Sequence, residues 1–172
     1  MNFTKEYLRK ALMTLVAMSL LMAGLNSEAY ASQKRALLIG IGNYPAESGW
    51  GPTNSVNDVK AMKSSLRLQD FSDTRELLDE KATKQGVINE LNKLYSACQA
   101  GDVVVFYYSG HGQFVQDQNG DEFDRFDEAL VLYGAPRSYD PVYQNEHHLL
   151  DEELSKIMNQ MRLKLRIRFW LA

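Results

Sequence analysis

His111 stands between two glycines at the end of an apolar run, Asp102-Val103-Val104-Val105-Phe106-Tyr107-Tyr108-Ser109-Gly110-His111-Gly112. An imidazole changes protonation near neutral pH, so it can take a proton from a nucleophile or hand one to a leaving group. The flanking glycines let the chain turn sharply and leave room for a substrate chain to approach. Gly112 also offers an unhindered backbone N–H, a suitable donor to a developing oxyanion. The same residues would equally make an ordinary strand-to-loop turn that happens to hold a histidine, and at this point both readings stand.

Other reactive residue types are sparse. The acidic stretch from Asp117 to Glu128 places oxygen-bearing side chains at positions one, three, five and twelve, a donor set that suits a hard cation such as calcium. Its sixth position is Glu122, where an EF-hand requires glycine. The stretch therefore reads either as a calcium loop of another kind or as a solvated acidic loop. His147 and His148 lie near Glu146 and Asp151 with no cysteine or third histidine beside them, a poor metal set. The single cysteine, Cys98, ends a helical pattern and reads as a small buried residue. One cysteine makes no internal disulfide.

Strands and helices alternate around these residues. Arg35 to Ile41 is a short apolar run closed by Gly42-Asn43-Tyr44-Pro45, and it predicts a buried strand and a turn. Val56, Val59, Met62, Leu66 and Leu68 recur at helical spacing, which predicts a helix over 55–68. Thr74 to Leu78 is a second candidate strand. Thr83 caps a helix with Val87, Ile88, Leu91 and Leu94 on one face. Val103 to Tyr108 is a third strand, Gln113 to Asp127 a loop, and Ala129 to Tyr133 a further strand. A helix follows from Asp151 to Met161, with acids in its first turn. Strands apolar on both faces, separated by helices, call for an α/β fold with a mostly parallel sheet. Its ligand site should lie at the C-terminal strand ends, where His111 falls.

The chain of 172 residues is 45% hydrophobic and 24% charged, ordinary values for one soluble domain. A formal charge of -3 gives no reason to expect nucleic acid as a partner. Residues 1–31 read as a signal peptide. Lys5, Arg9 and Lys10 precede an apolar stretch from Ala11 to Leu25, and Ala29-Tyr30-Ala31 has the small-x-small form of a cleavage site. This implies export from a bacterial cell to the periplasm or beyond, with no membrane contact after cleavage; an uncleaved anchor is the alternative.

Five segments, in this order, resemble the caspase-like cysteine peptidases of the C14 family, and within them the metacaspase-type branch. They are Arg35 to Ile41 with Asn43-Tyr44; Asn54-Ser55-Val56-Asn57-Asp58-Val59; Gly101 to Tyr108; Ser109-Gly110-His111-Gly112; and Asn119-Gly120-Asp121-Glu122 with Asp127-Glu128-Ala129-Leu130-Val131. The resemblance implies a caspase-like three-layer sandwich and a peptide or protein substrate. It makes His111 the catalytic histidine. It also places Asp58 and Ser109 in the pocket for the residue before the cut bond, where a carboxylate favours Arg or Lys. Calcium dependence occurs in this branch, and the resemblance assigns no residue of this loop as a ligand. Ser55-x-x-Asp58 is also a plausible capping box, so Asp58 keeps two readings here.

The resemblance further implies a cysteine at the end of a strand after the last helix. Arg162 to Ala172 instead alternates basic and apolar residues, a pattern that suits an edge strand with one basic face. On this reading residues 32–161 are the N-terminal part of the peptidase domain, incomplete at its C-terminus. Residues 162–172 are then an aberrant tail left by a frameshift, an early stop or a faulty gene model. Cys98 precedes His111 and does not replace the missing thiol. The sequence thus leaves a cysteine endopeptidase that is inactive as written, or a non-catalytic homologue that binds peptides or a partner. A metal- or cofactor-dependent hydrolase lacks both a phosphate loop and a ligand cluster.

Overall fold

The computed structural model describes residues 32–117, 120, 123, 125–139 and 142–165. The proposed signal peptide, much of the acidic loop and residues 166–172 lie outside these described residues.

Strand β1 (Lys34–Gly40) is the middle of a parallel sheet, between β2 (Asp73–Leu78) and β3 (Val103–Ser109). The sequence dictates that place: Ala36, Leu37, Leu38 and Ile39 are all fully buried, so β1 has no solvent face. Successive side chains point to opposite sides. Ala36 and Leu38 meet Val59 and Leu66 of helix α1 (Ser55–Arg67). Leu37 and Ile39 meet Val87, Leu91 and Leu94 of α2 (Lys84–Ala97). Burial of each such side chain contributes about 2 kcal/mol. Helices on both faces of a sheet make the three-layer α/β arrangement that the sequence implied.

Two details fix the helices. The Gly86 N–H donates to Thr83 Oγ1 at 3.1 Å, the predicted cap of α2. Helix α1 passes so close to β1 that a Cβ on Gly40 would lie 2.7 Å from Val59 Cγ2 and 2.9 Å from the Ser55 carbonyl oxygen. Glycine is the only residue that fits there.

The second half differs from the sequence reading. Gln113 to Asp127, expected as loop, contributes β4 (Gly112–Gln116) and the start of β5 (Phe126–Val131). With β6 (His148–Leu150) they form an antiparallel sheet ordered β4-β5-β6. Helix α3 (Asp151–Leu165) runs four residues past its expected end at Met161. Arg162 to Leu165 are thus helical, not an edge strand. Leu154, Met158, Met161 and Leu165 share one buried face, and that helical spacing overrides the local basic–apolar alternation. Lys164 Nζ donates to the Ser96 carbonyl at 3.3 Å, and the Gly101 N–H donates to the Leu165 carbonyl at 3.3 Å.

Asp102 ties the lower end of the parallel sheet together. Its carboxylate accepts from the Gln33 N–H at 2.8 Å, the Gln99 N–H at 3.0 Å and Arg35 Nε at 3.2 Å, while only 1% exposed. Burial alone would raise its pKa, but these donors outweigh it and hold the carboxyl below the usual range. Asp102→Ala leaves two backbone donors and Arg35 Nε unmatched, while Arg35 Nη1 keeps Asp73 at 2.7 Å. Urea unfolding should show a loss of about 3 kcal/mol; a loss below about 1 kcal/mol would contradict this account.

His148 ties the antiparallel sheet to the loop before it. It is fully buried, with Nε2 on Gln113 Oε1 at 2.9 Å and Nδ1 on the Tyr143 hydroxyl at 2.9 Å. The carboxamide oxygen only accepts, so Nε2 carries the proton and Nδ1 accepts from Tyr143. Burial, then the nearby His147 and Lys84, lower its pKa from 6.5 to about 4. Between those values the unfolded chain binds a proton that the folded one refuses. Stability should therefore be complete above pH 6.5, fall by about 3 kcal/mol towards pH 4, and level off below it. Urea titrations across this window should show that slope in the wild type and a flatter one in His148→Gln. Equal slopes would remove His148 as the cause.

Candidate active site

The C-terminal ends of β1 and β3 lie side by side, with Gly40 opposite Ser109. The Ile41 N–H donates to the Ser109 carbonyl at 3.1 Å, one step past the last strand pair. Helix α1 begins at the same end after the loop that follows β1. This geometry brings Asp58, in the first turn of α1, to Ser109: the Ser109 hydroxyl donates to Asp58 Oδ2 at 2.8 Å. The capping-box alternative is not formed. The cap residue is Asn54 with no side-chain cap bond, and the Ser55 hydroxyl is paired with Thr53 Oγ1 at 2.5 Å.

Gly110 follows, and its lack of a side chain is essential. A Cβ there would overlap the Tyr108 hydroxyl and lie 2.8 Å from the Tyr44 hydroxyl. Those two hydroxyls hold the main chain of His111. The His111 N–H donates to Tyr44 Oη at 3.0 Å, and Tyr44 Oη donates to the Val131 carbonyl at 3.0 Å. Tyr108 Oη lies 2.8 Å from both the His111 and Val131 carbonyls. The Val131 N–H also donates to the His111 carbonyl at 3.0 Å. A tyrosine hydroxyl is thus threaded into one hydrogen-bonded pair of the ladder between β4 and β5. Tyr108 is thus a hydrogen-bonding residue; burial is the main cause that raises its phenol pKa, followed by the Tyr44 hydroxyl. Tyr107 packs on the cluster formed by Ala36, Leu38, Val59 and Leu66.

The imidazole itself is held from two sides. Nε2 lies 3.0 Å from the Gly51 carbonyl. A carbonyl only accepts, so Nε2 is the donor, and in the neutral ring the lone pair then lies on Nδ1. The ring stacks on Trp50, centroids 4.7 Å apart and planes 24° apart, and Tyr44 stands 5.2 Å away. An imidazole with a fixed Nε2–H can take a proton at Nδ1 and later release it.

Gly112 supplies the remaining group. Residues 111 and 131 make a hydrogen-bonded pair, so Gly112, opposite Leu130, is in the alternate position whose N–H turns away from β5. Gly112 is exposed, and a Cβ on it would meet only the Ala129 carbonyl, at 3.8 Å. The N–H therefore turns away from β5 on an exposed residue.

The sequence reading missed Trp50, the Gly51 carbonyl and Asp79. Asp79 Oδ1 accepts from the Gly42 and Asn43 N–H groups at 2.8 and 2.9 Å, which sets the turn that delivers Tyr44. An acidic residue just after β2 was the only available signal.

Cys98 lies at the opposite end of the parallel sheet. It is the C-cap of α2, 1% exposed and within the core, and burial raises its thiol pKa. Strand β3, of 7 residues, separates it from His111 by about 20 Å. Of the acidic loop, Asp117 Oδ1 accepts from the Gly120 N–H at 2.7 Å. Its other candidate calcium ligands fall mostly outside the described residues.

Comparison with known proteins agrees with this geometry. The family model for the metacaspase, peptidase C14 domain matches residues 34–170. Metacaspase-1 of Coccidioides immitis is 33% identical over 136 residues, covering 73% of this chain and 27% of that protein. Metacaspase-1 of Meyerozyma guilliermondii is 30% identical over 141 residues, covering 74% of this chain and 31% of that protein. The chain thus spans about three tenths of these relatives' length. The crystal structure of protein GSU0716 from Geobacter sulfurreducens superposes with a TM-score of 0.59 at 26% identity, over 74% of this chain and 45% of that one. The β1–α1 unit, the Ser-Gly-His-Gly strand end and the matched span together place this chain in the metacaspase family of C14 peptidases.

Proposed function

We propose that the chain carries the histidine side of a caspase-like cysteine endopeptidase site with a preference for Arg or Lys before the cut bond, and that these residues alone do not cleave peptides. The observation that carries the reading is the Ser109–Asp58 hydrogen bond at 2.8 Å, two residues from His111. A carboxylate at this strand end would pair with a guanidinium or ammonium by charge-assisted hydrogen bonds.

The chemistry assigns each group one task. The thiol proton passes to His111 Nδ1, and the thiolate attacks the peptide carbonyl carbon. The Gly112 N–H donates to the resulting oxyanion. Collapse breaks the C–N bond as Nδ1 returns the proton to the leaving amine, and water then frees the acyl group. Cys98 cannot provide the thiol, being buried about 20 Å away at the far end of β3. That placement also favours the second reading, a homologue that binds peptides without turnover. The signal-type sequence of residues 1–31 supports export as the setting.

Fluorescence anisotropy with an Arg-containing peptide and its Asp-containing twin tests the pocket. The Arg peptide should bind about tenfold or more tightly, and Asp58→Asn should abolish the difference. Equal binding of the two peptides would sink the pocket assignment. Hydrolysis of an Arg reporter should not exceed the blank; turnover that disappears in His111→Ala would show that the chain is active after all.

A further inference from the structure

We propose that Trp50 is a positioning residue for His111, and that the dipeptide Trp50-Gly51 selects the imidazole tautomer by gripping the ring through its face and its edge. The inference rests on the reading of His111 as the proton-transferring group, and it adds to that site a residue outside the Ser-Gly-His-Gly strand end.

The indole of Trp50 lies against the imidazole with centroids 4.7 Å apart and an interplanar angle of 24°. The next residue, Gly51, puts its carbonyl 3.0 Å from Nε2. Neither contact suffices alone. A single hydrogen bond leaves the ring free to swing about Cβ–Cγ, or to flip and offer Nδ1–H elsewhere. A stacked surface alone holds the plane and leaves the two nitrogens equivalent. Together they fix the plane and assign the edge, so the proton stays on Nε2 and Nδ1 stays bare.

Trp50 is itself held, as a platform must be. Its Nε1–H donates to the Ala135 carbonyl at 3.0 Å, and the Arg137 guanidinium sits 5.7 Å from its ring centre. The Arg137 N–H donates to the Ser48 carbonyl at 2.8 Å, which locks the loop bearing Trp50 to the segment after β5. Tyr44, 6.3 Å from Trp50 and 5.2 Å from His111, closes a third side and clamps the His111 N–H. Tyr44 serves both backbone and ring of His111, whereas the Trp50 contact is to the ring, which makes the contribution of Trp50 separable.

The test is nitrogen-15 NMR of the imidazole in the full chain, at a pH where the ring is neutral. Wild type should show Nε2–H as the dominant tautomer, with His111 ring protons shifted upfield by the indole. Trp50→Leu should lower the tautomer ratio by about tenfold, the factor lost with one aligned hydrogen bond. Trp50→Phe, which restores an aromatic face, should recover most of it. A folded Trp50→Leu chain with an unchanged ratio overturns the proposal. So does a wild-type ring without upfield shifts, an observation that needs no variant to fold. Neither readout involves peptide binding or cleavage, so failure of the peptidase reading and failure of this one are told apart.

Discussion

The backbone of His111 is fixed by two phenol hydroxyls that occupy the space a side chain on residue 110 would fill. Tyr44 takes its N–H, Tyr108 and the Val131 N–H share its carbonyl, and Gly110 alone lets both rings come close enough. This junction also joins the two sheets. Tyr108 belongs to the parallel sheet, Val131 to the antiparallel one, and Tyr44 to the turn after β1. A histidine at a strand end would ordinarily sit on a mobile loop; here its main chain is anchored to three elements before its side chain makes any contact.

That anchoring depends in turn on how β1 is buried. Because Leu37 and Ile39 face α2 and Ala36 and Leu38 face α1, β1 cannot slip by one residue without placing each set against the wrong helix. Its register with β3 is therefore firm, and Gly40 meets Ser109. Gly40 also lets α1 approach closely enough for Asp58, in its first turn, to reach the Ser109 hydroxyl. A carboxylate there sits well at the positive end of a helix dipole and at the mouth of the sheet alike.

Much of this was legible in the sequence, and the failures have physical causes. The parallel strands and both crossover helices were plain, since their apolar spacing reflects burial on both sides of one sheet. Strand β4 was hidden because only Val115 of its five residues is buried, while Phe114 stays exposed. Its identity comes from hydrogen bonds to β5, which leave no mark on composition. The end of α3 was misread because the basic–apolar alternation from Arg162 onward hid that Leu165 continues the helical spacing of Leu154, Met158 and Met161. Asp58 had two roles open because a capping box and a substrate pocket call for the same residue type. Trp50, Gly51 and Asp79 were out of reach: Trp50 and Gly51 meet His111, and Asp79 meets Gly42 and Asn43, across long stretches of chain.

The position of Cys98 separates what the fold provides from what the chemistry requires. A parallel sheet gathers its reactive groups at one end, because each crossover returns the chain to the same side. His111, Gly112, Asp58 and Ser109 all obey that rule. Cys98 ends α2 just before β3 and so belongs to the opposite end, where burial raises its thiol pKa and disfavours the thiolate. No repacking of side chains can carry it the length of β3. The sheet therefore presents an imidazole with its Nε2 edge held by a carbonyl, the exposed Gly112 beside it, and the Asp58 carboxylate hydrogen-bonded to Ser109, two residues before His111. On the proposed reading, a thiolate partner would meet them at the C-terminal strand ends, beside β3, whose outer edge is unpaired among the described residues.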